Sequence, residues 1–417
     1  MNIQTATLAN GLQLVHVPMP DTQMVAIDVL YNVGARDEEP LHTGWAHLLE
    51  HLMFEGTPRI ADYDTQVQRI GGENNAFTNN DITSFYLTVP RASIETAFLL
   101  ESDRMRGLTL DDRSVQVQKQ VVIEEFKQRC SNQPYGDLQH LVRPLAYRTH
   151  PYRWPTIGIT TRHIEEATPD DIRAFYRRHY RPSNAILTVT GAASFDEALA
   201  LAKKYFEPIA DDGTPCVLQP SHHGIPREPR QQRMRRQTVR RNVPLDLLAL
   251  SFHMGGKNDA DYFPCDVITD LLANGQSSRL TQRLVNEQKL FVTLDACILG
   301  STDPGLLQVT GRVNPGVTLA QAEKAVWDEL DRLKHEPVGE HELDKVRNRF
   351  ESERVFGNIH YLNVALTLPQ LILAGLTPDE EIRRYRAVTP ADIRRTARAV
   401  LTRRNCSVLH YKSALRR

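Results

Sequence analysis

The stretch Thr43-Gly44-Trp45-Ala46-His47-Leu48-Leu49-Glu50-His51-Leu52-Met53-Phe54 constrains this chain more than any other. No proline interrupts it, and Thr43 is of a type that caps helix starts, so it reads as a helix. His47 and His51 are four apart and Glu50 is three beyond His47, which puts all three on one helical face. Trp45, Ala46, Leu48, Leu49, Leu52, Met53 and Phe54 are apolar, so the helix is expected to be buried. Three ionisable groups on a buried helix are costly unless something satisfies them. A divalent metal does this well: two imidazoles ligate it, and the carboxylate holds a water beside it.

Two histidines leave a catalytic zinc one protein ligand short, because such a site normally has three and an open position. The helical pattern over residues 112–131 offers the third. At about 100° per residue, Val115, Val122 and Phe126 fall within about 40° of one another and define its buried face. Gln118, Val121 and Glu125 lie on the adjoining flank, while Glu124 points to the opposite side, beside Val117. Glu125 is therefore the carboxylate at the margin of the buried face, and Glu124 is expected to be solvated.

The rest of the chain gives the fold class. Asn10-Gly11 is a hairpin turn, and 12–17 and 25–31 read as strands. Residues 76–78 and 83–89 alternate as strands should, and helices are expected over 91–107 and 112–131. A helix over 168–179, capped by Thr168 with Pro169 at its first position, precedes a strand at 185–190 and a helix at 194–206. Strands and helices arriving in blocks imply an α+β fold: an antiparallel-rich mixed sheet with helices packed on one face.

Between about 208 and 243 the pattern is lost to prolines, glycines and a basic run from Arg227 to Arg241. It reads as a linker running into an edge strand, its arginines forming a solvated face or an anionic docking surface. The second half then repeats the first. Leu247–Met254 is a strand, 255–261 a polar loop and 261–273 an apolar helix without a histidine-glutamate cluster. The expected domains are 1–210 with the metal, a linker at 211–240, and a homologous 241–417 without metal.

A chain of 417 residues is long enough for two or three domains, and a formal net charge of -1 gives no argument for nucleic acid or membrane as the main partner. The five cysteines are scattered, with no C-x-x-C pair, which fits a reducing compartment rather than a thiolate zinc site. No signal peptide or bilayer-spanning run is seen, so the cytoplasm is the expected compartment, or the periplasm if a leader has been removed.

Several further stretches join the His47–Thr57 segment in resembling one family. They are Tyr31-Asn32-Val33-Gly34-Ala35-Arg36-Asp37-Glu38, Gly71-Gly72-Glu73-Asn74-Asn75-Ala76-Phe77-Thr78, Val121 to Glu125, His150-Pro151-Tyr152 with Ile157-Gly158, Tyr176 to Asn184 with Gly191, and Ser277-Ser278-Arg279-Leu280. The chain resembles the pitrilysin/insulinase group of inverted zincin metallopeptidases, nearest to the two-domain mitochondrial-processing-peptidase type. The resemblance implies Zn2+ held by His47, His51 and Glu125, with Glu50 as general base. It also implies that Asn75, Ala76 and Phe77 lie on an edge strand along which an extended peptide substrate pairs. Asn75 suits a bond to a substrate carbonyl or an ordinary strand-end turn. Phe54 and Phe77 suit side-chain pockets and core packing equally.

Two departures qualify what the resemblance implies. A second glutamate usually stands seven residues before the ligand glutamate, and here that position is Gln118, which can hydrogen-bond but brings no charge. Active relatives also supply an arginine and a tyrosine after the Ser-Ser-Arg-Leu segment, where this chain has Val285 and Val292. Neither valine donates a hydrogen bond. The expected assembly is therefore a heterodimer with a homologous metal-free subunit that supplies the pair, or else a homodimer. The alternative is a scaffold subunit that binds metal without hydrolysis.

Overall fold

Strand patterning on both sides of Asn10-Gly11 builds the first of two sheets in the computed structural model, which describes residues 1–211, 224–300 and 302–415. That sheet holds β1 (Gln4–Thr7), β2 (Gln13–Pro18), β3 (Met24–Tyr31), β4 (Glu73–Thr78), β5 (Thr83–Pro90) and β6 (Ala185–Gly191). Their spatial order is β1-β2-β6-β3-β5-β4, so β4 lies at an edge. β2 and β6 run parallel; the other neighbours are antiparallel.

The second sheet holds β7 (Arg235–Arg241), β8 (Leu247–His253), β9 (Phe291–Leu299), β10 (Leu306–Val313) and β11 (Cys406–Ser413). Its order is β7-β11-β8-β10-β9, with β7 and β11 parallel and the rest antiparallel. This repeats β2-β6-β3-β5-β4 strand for strand, so the chain is two copies of one α+β plan.

Small side-chain devices repeat as well. Thr168 and Asp171 form a capping box on the helix Pro169–His179, and Thr389 and Asp392 form one on Pro390–Val400. Sixteen residues after each threonine comes an asparagine (Asn184 and Asn405) that ties the helix end to the strand before it. Asn184 Nδ2 donates to His179 O at 2.9 Å and Asn32 O at 3.2 Å; Asn405 Nδ2 donates to Val400 O at 2.9 Å and His253 O at 2.8 Å. The sequence Thr-Pro-x-Asp-Ile with its distant asparagine was a readable signature of the duplication.

The chain divides into two compact units that interleave in sequence. One comprises 1–127, 155–220 and 355–378; the other comprises 128–154, 221–354 and 379–417. Each thus takes a helix from the opposite half of the sequence. In the first unit Tyr361–Leu373 packs on β3 and β6; in the second Leu138–Ala146 packs on β8 and β11. Of the 211–240 stretch expected as a linker, 212–223 lie outside the described residues, and 235–241 form edge strand β7. Three arginines of the basic run pair with acids of the same unit: Arg227 meets Asp259, Arg236 meets Glu323 and Arg241 meets Asp137.

Both faces of the first sheet are covered. Val25, Ile27, Val29 and Tyr31 of β3 join the main core with Leu48, Leu49, Leu52, Val115 and Val122. Leu30, facing the other way, packs with Val15, Val17 and Ile186 against Val364 and Leu368 of the borrowed helix. The expectation of helices on one face thus gains a helix on the second. The reason lies in central strands that are apolar on both sides, β6 being buried at every residue. No single helix among the described residues is long and apolar enough to cross a membrane.

Candidate metal centre

The helix Trp45–Leu52 buries Trp45, Ala46, Leu48, Leu49 and Leu52, and leaves Glu50 and His51 partly open to solvent. Thr43 does not cap it. The residue before the helix is Gly44, at φ 89°, where an added Cβ would stand 2.9 Å from Ile157 O. The Thr43 hydroxyl instead lies 2.8 Å from His163 Nδ1 and accepts from Ile159 N at 2.9 Å. The cap is the remote carboxylate of Glu38, which accepts from Gly44 N and Ala46 N at 2.9 Å each. A helix N-terminus offers unpaired N–H groups and a positive dipole end, so a carboxylate serves there. Burial still pushes the Glu38 carboxyl well above the usual carboxylate range.

The helix Asp112–Phe126 lies against this one; Val115 and Val122 are buried as the phasing predicts, Phe126 is only half-buried, and Lys119 and Ile123 join the buried face instead. Asp111 caps its start, and Lys119 fixes its back by donating to Glu165 O at 2.7 Å and Ala167 O at 2.9 Å. The α-helix ends at Phe126 and passes into a π-helical turn, Lys127–Ser131, rather than running unbroken to 131.

These helices bring His47, His51 and Glu125 together. Glu125 Oε2 lies 3.2 Å from His51 Nε2 and 3.6 Å from His47 Nε2. One ligand atom from each lies within 4.8 Å of the others, and no other such group of His, Cys, Asp or Glu occurs among the described residues. A tetrahedral centre with bonds of about 2.0–2.2 Å has ligand–ligand edges of about 3.4 Å. The two separations from Glu125 lie on either side of that edge, and two imidazoles with one carboxylate are a suitable donor set for zinc. Glu124, in contrast, has a side chain 68% exposed and pairs with Lys127 at 2.6 Å. Glu50 is near enough to Tyr180 that its charge adds to the burial raising that phenol's pKa.

The other expected residues are placed as follows. Edge strand β4 packs against the histidine-bearing helix. Along it Asn75 pairs with Tyr86, Ala76 with Phe85 and Phe77 with Ser84. Asn75 Oδ1 accepts from Ala76 N at 2.8 Å. Phe54 stands edge-on to Tyr63, with ring centroids 5.7 Å apart, and packs on the main core. Phe77 packs against the second cluster, beside Val364 and Leu368. Gln118 donates from Nε2 to Glu55 Oε1. In the other unit Val285 lies in the π-helical turn Thr281–Glu287, and Val292, at the start of β9, is 44% exposed.

Sequence reasoning missed Glu38 and Glu55. Glu55 stands four residues after His51 but beyond the end of the helix at Leu52, so helical spacing gave no sign of it. Glu38 left no periodic signal, because it caps from a loop.

Comparison with known proteins finds relatives of this chain. The family description "Insulinase (Peptidase family M16)" matches residues 14–158, and "Peptidase M16 inactive domain" matches 166–350. Zinc protease PqqE of Helicobacter pylori is 32% identical over 348 residues, 82% of this chain and 77% of the relative. A probable mitochondrial-processing peptidase subunit beta of Schizosaccharomyces pombe is 26% identical over 296 residues, 67% of this chain and 62% of that protein. The crystal structure of a protease from Helicobacter pylori superposes with a TM-score of 0.91 at 28% identity, covering 99% of both chains.

Proposed function

Because this chain belongs to the M16 insulinase family of peptidases, we propose that it is the metal-bearing subunit of a zinc-dependent endopeptidase acting on extended peptides. The observation that carries the reading is the convergence of His47, His51 and Glu125 within 4.8 Å of one another. These three residues would hold zinc, which would lower the pKa of a water and polarise a carbonyl. Glu50, three residues from His47 and open to solvent, takes the proton of the attacking water and passes it to the departing amine nitrogen. The substrate backbone extends β4, where Ala76 N–H exchanges the Asn75 side chain for a peptide carbonyl. That recognition uses main-chain bonds, so it tolerates many sequences.

A homologous partner chain supplies the donors that Val285 and Val292 lack. One relative bears the name of a peptidase subunit, which supports pairing. The reading also includes a cytoplasmic location. A metal-binding scaffold without hydrolysis is the second reading; the two valines and the match of residues 166–350 to an inactive domain favour it. Zinc content and cleavage of a quenched peptide library, measured for the chain alone and with its partner, separate them. The proposal expects about one zinc per chain and cleavage only with the partner. Zinc without turnover under every pairing supports the scaffold, and full activity of the lone chain removes the split site.

A further inference from the structure

We propose that Glu55 and Gln118 form a register clamp that holds Glu125 over the two histidines, which makes both positioning residues for the metal centre. This rests on the reading that zinc binds there. The two helices are bridged twice. Glu125 meets His51 and His47, while Gln118, earlier on its helix, donates to Glu55, in the bend that follows the other helix three residues past its end at Leu52. The helices therefore run antiparallel, with two rungs between them. Gln118 is seven residues before Glu125, about 20° from it in phase and about 10 Å along the axis. A single bridge would let one helix pivot about it; two fix the register.

The register matters because Glu125 sits in the last turn of its α-helix, with only Phe126 before the π-helical turn Lys127–Ser131. Backbone geometry changes there, so the α-helical ladder constrains the ligand less than it would at mid-helix. A slip of one residue rotates the helix by about 100° and presents Glu124 or Phe126 to the histidines. Lys119 anchors the same helix to Glu165 and Ala167, a contact with a different segment from the histidine-bearing helix. The Gln118–Glu55 bond is the side-chain link that faces it, and its charged acceptor makes it stronger than a neutral pair. Gln118 thereby has a reason of its own: a glutamate here would set one carboxylate against another.

The test is a double-mutant cycle on the full-length chain: Gln118→Ala, Glu55→Ala, the double alanine variant, and the swap Glu55→Gln with Gln118→Glu. Apparent affinity for Zn2+ is measured by chelator competition, and the visible spectrum of the Co2+-loaded chain reports site geometry. Thermal melting of each metal-free variant checks folding. Each alanine variant is expected to lose about tenfold in affinity, with an altered Co2+ spectrum. The double variant is expected to lose no more than either single one, and the swap, which restores an amide–carboxylate rung, to return within about threefold of wild type. Single variants that bind as wild type does, losses that multiply in the double variant, or a swap no better than alanine overturn the clamp. A wild-type chain that binds no Zn2+ overturns the zinc reading instead, so the two failures are distinguishable.

Discussion

Glu125 Oε2 and His51 Nε2 lie 3.2 Å apart, although β4 and β5 separate their helices in the chain. That approach turns a two-histidine helix into a three-donor centre, because it lies close to the edge of a tetrahedral metal site. It also excludes the neighbouring Glu124, whose carboxylate pairs with Lys127 in solvent.

Ligand loss is therefore expected to be specific. His51→Ala and Glu125→Gln should each weaken Zn2+ affinity by about 100-fold or more, since each removes a donor outright. Glu124→Gln should bind as wild type does. Chelator competition measures all three, and equal losses for Glu124 and Glu125 would contradict the assignment.

Glu38 should matter to the stability of the fold through the helix it caps. Glu38→Ala leaves the N–H groups of Gly44 and Ala46 buried without their acceptor, a cost of about 2–3 kcal/mol. Glu38→Gln keeps a carbonyl oxygen and should cost less, because burial already disfavours the charged carboxylate. Urea unfolding of the two variants gives the ranking, and a larger loss for glutamine would count against it.

Edge strand β4 offers a test of substrate pairing that leaves the metal untouched. Ala76 N–H donates to its neighbour's side chain. Ala76→Pro should therefore lower the melting temperature little, retain zinc, and reduce kcat/KM for extended peptides by about tenfold or more. Unchanged kcat/KM would remove β4 from substrate binding.

The second unit, which holds Glu323, carries its own pH dependence. Burial alone would raise the Glu323 carboxyl, but hydrogen bonds from His410 at 2.7 Å and Arg236 at 2.6 Å hold it down to about 2. A depressed carboxylate stabilises the fold above its unfolded value and loses that contribution as pH falls through the folded one. Stability should thus decline from about pH 4.5 towards 2 by an amount on the order of 2–3 kcal/mol. Glu323→Gln should lower stability at pH 7 and flatten this acid limb, as read by melts across that range. A limb of unchanged slope would contradict the assignment.

Much of this was legible in the residues. Periodicity placed the histidine helix and chose between Glu124 and Glu125, since a buried stripe of Val115 and Val122 fixes the phase of everything else on that helix. The strand–loop–helix order of the second half exposed the duplication that the second sheet repeats. Exchange of helices between the two halves was not legible, because local pattern shows that Tyr361–Leu373 is apolar but not which sheet it covers. Thr43 misled for a related reason: its hydroxyl found His163, 120 residues away, and a loop carboxylate took the cap.

The most direct measurement compares the wild type with Glu50→Gln, each loaded with zinc and mixed with the proposed homologous partner. Zinc per chain and the rate of peptide cleavage are read on the same samples. The account predicts equal zinc in both and a cleavage rate at least about 100-fold lower in the variant, as expected for loss of a general base. A zinc-bearing Glu50→Gln chain that cleaves at the wild-type rate would contradict it.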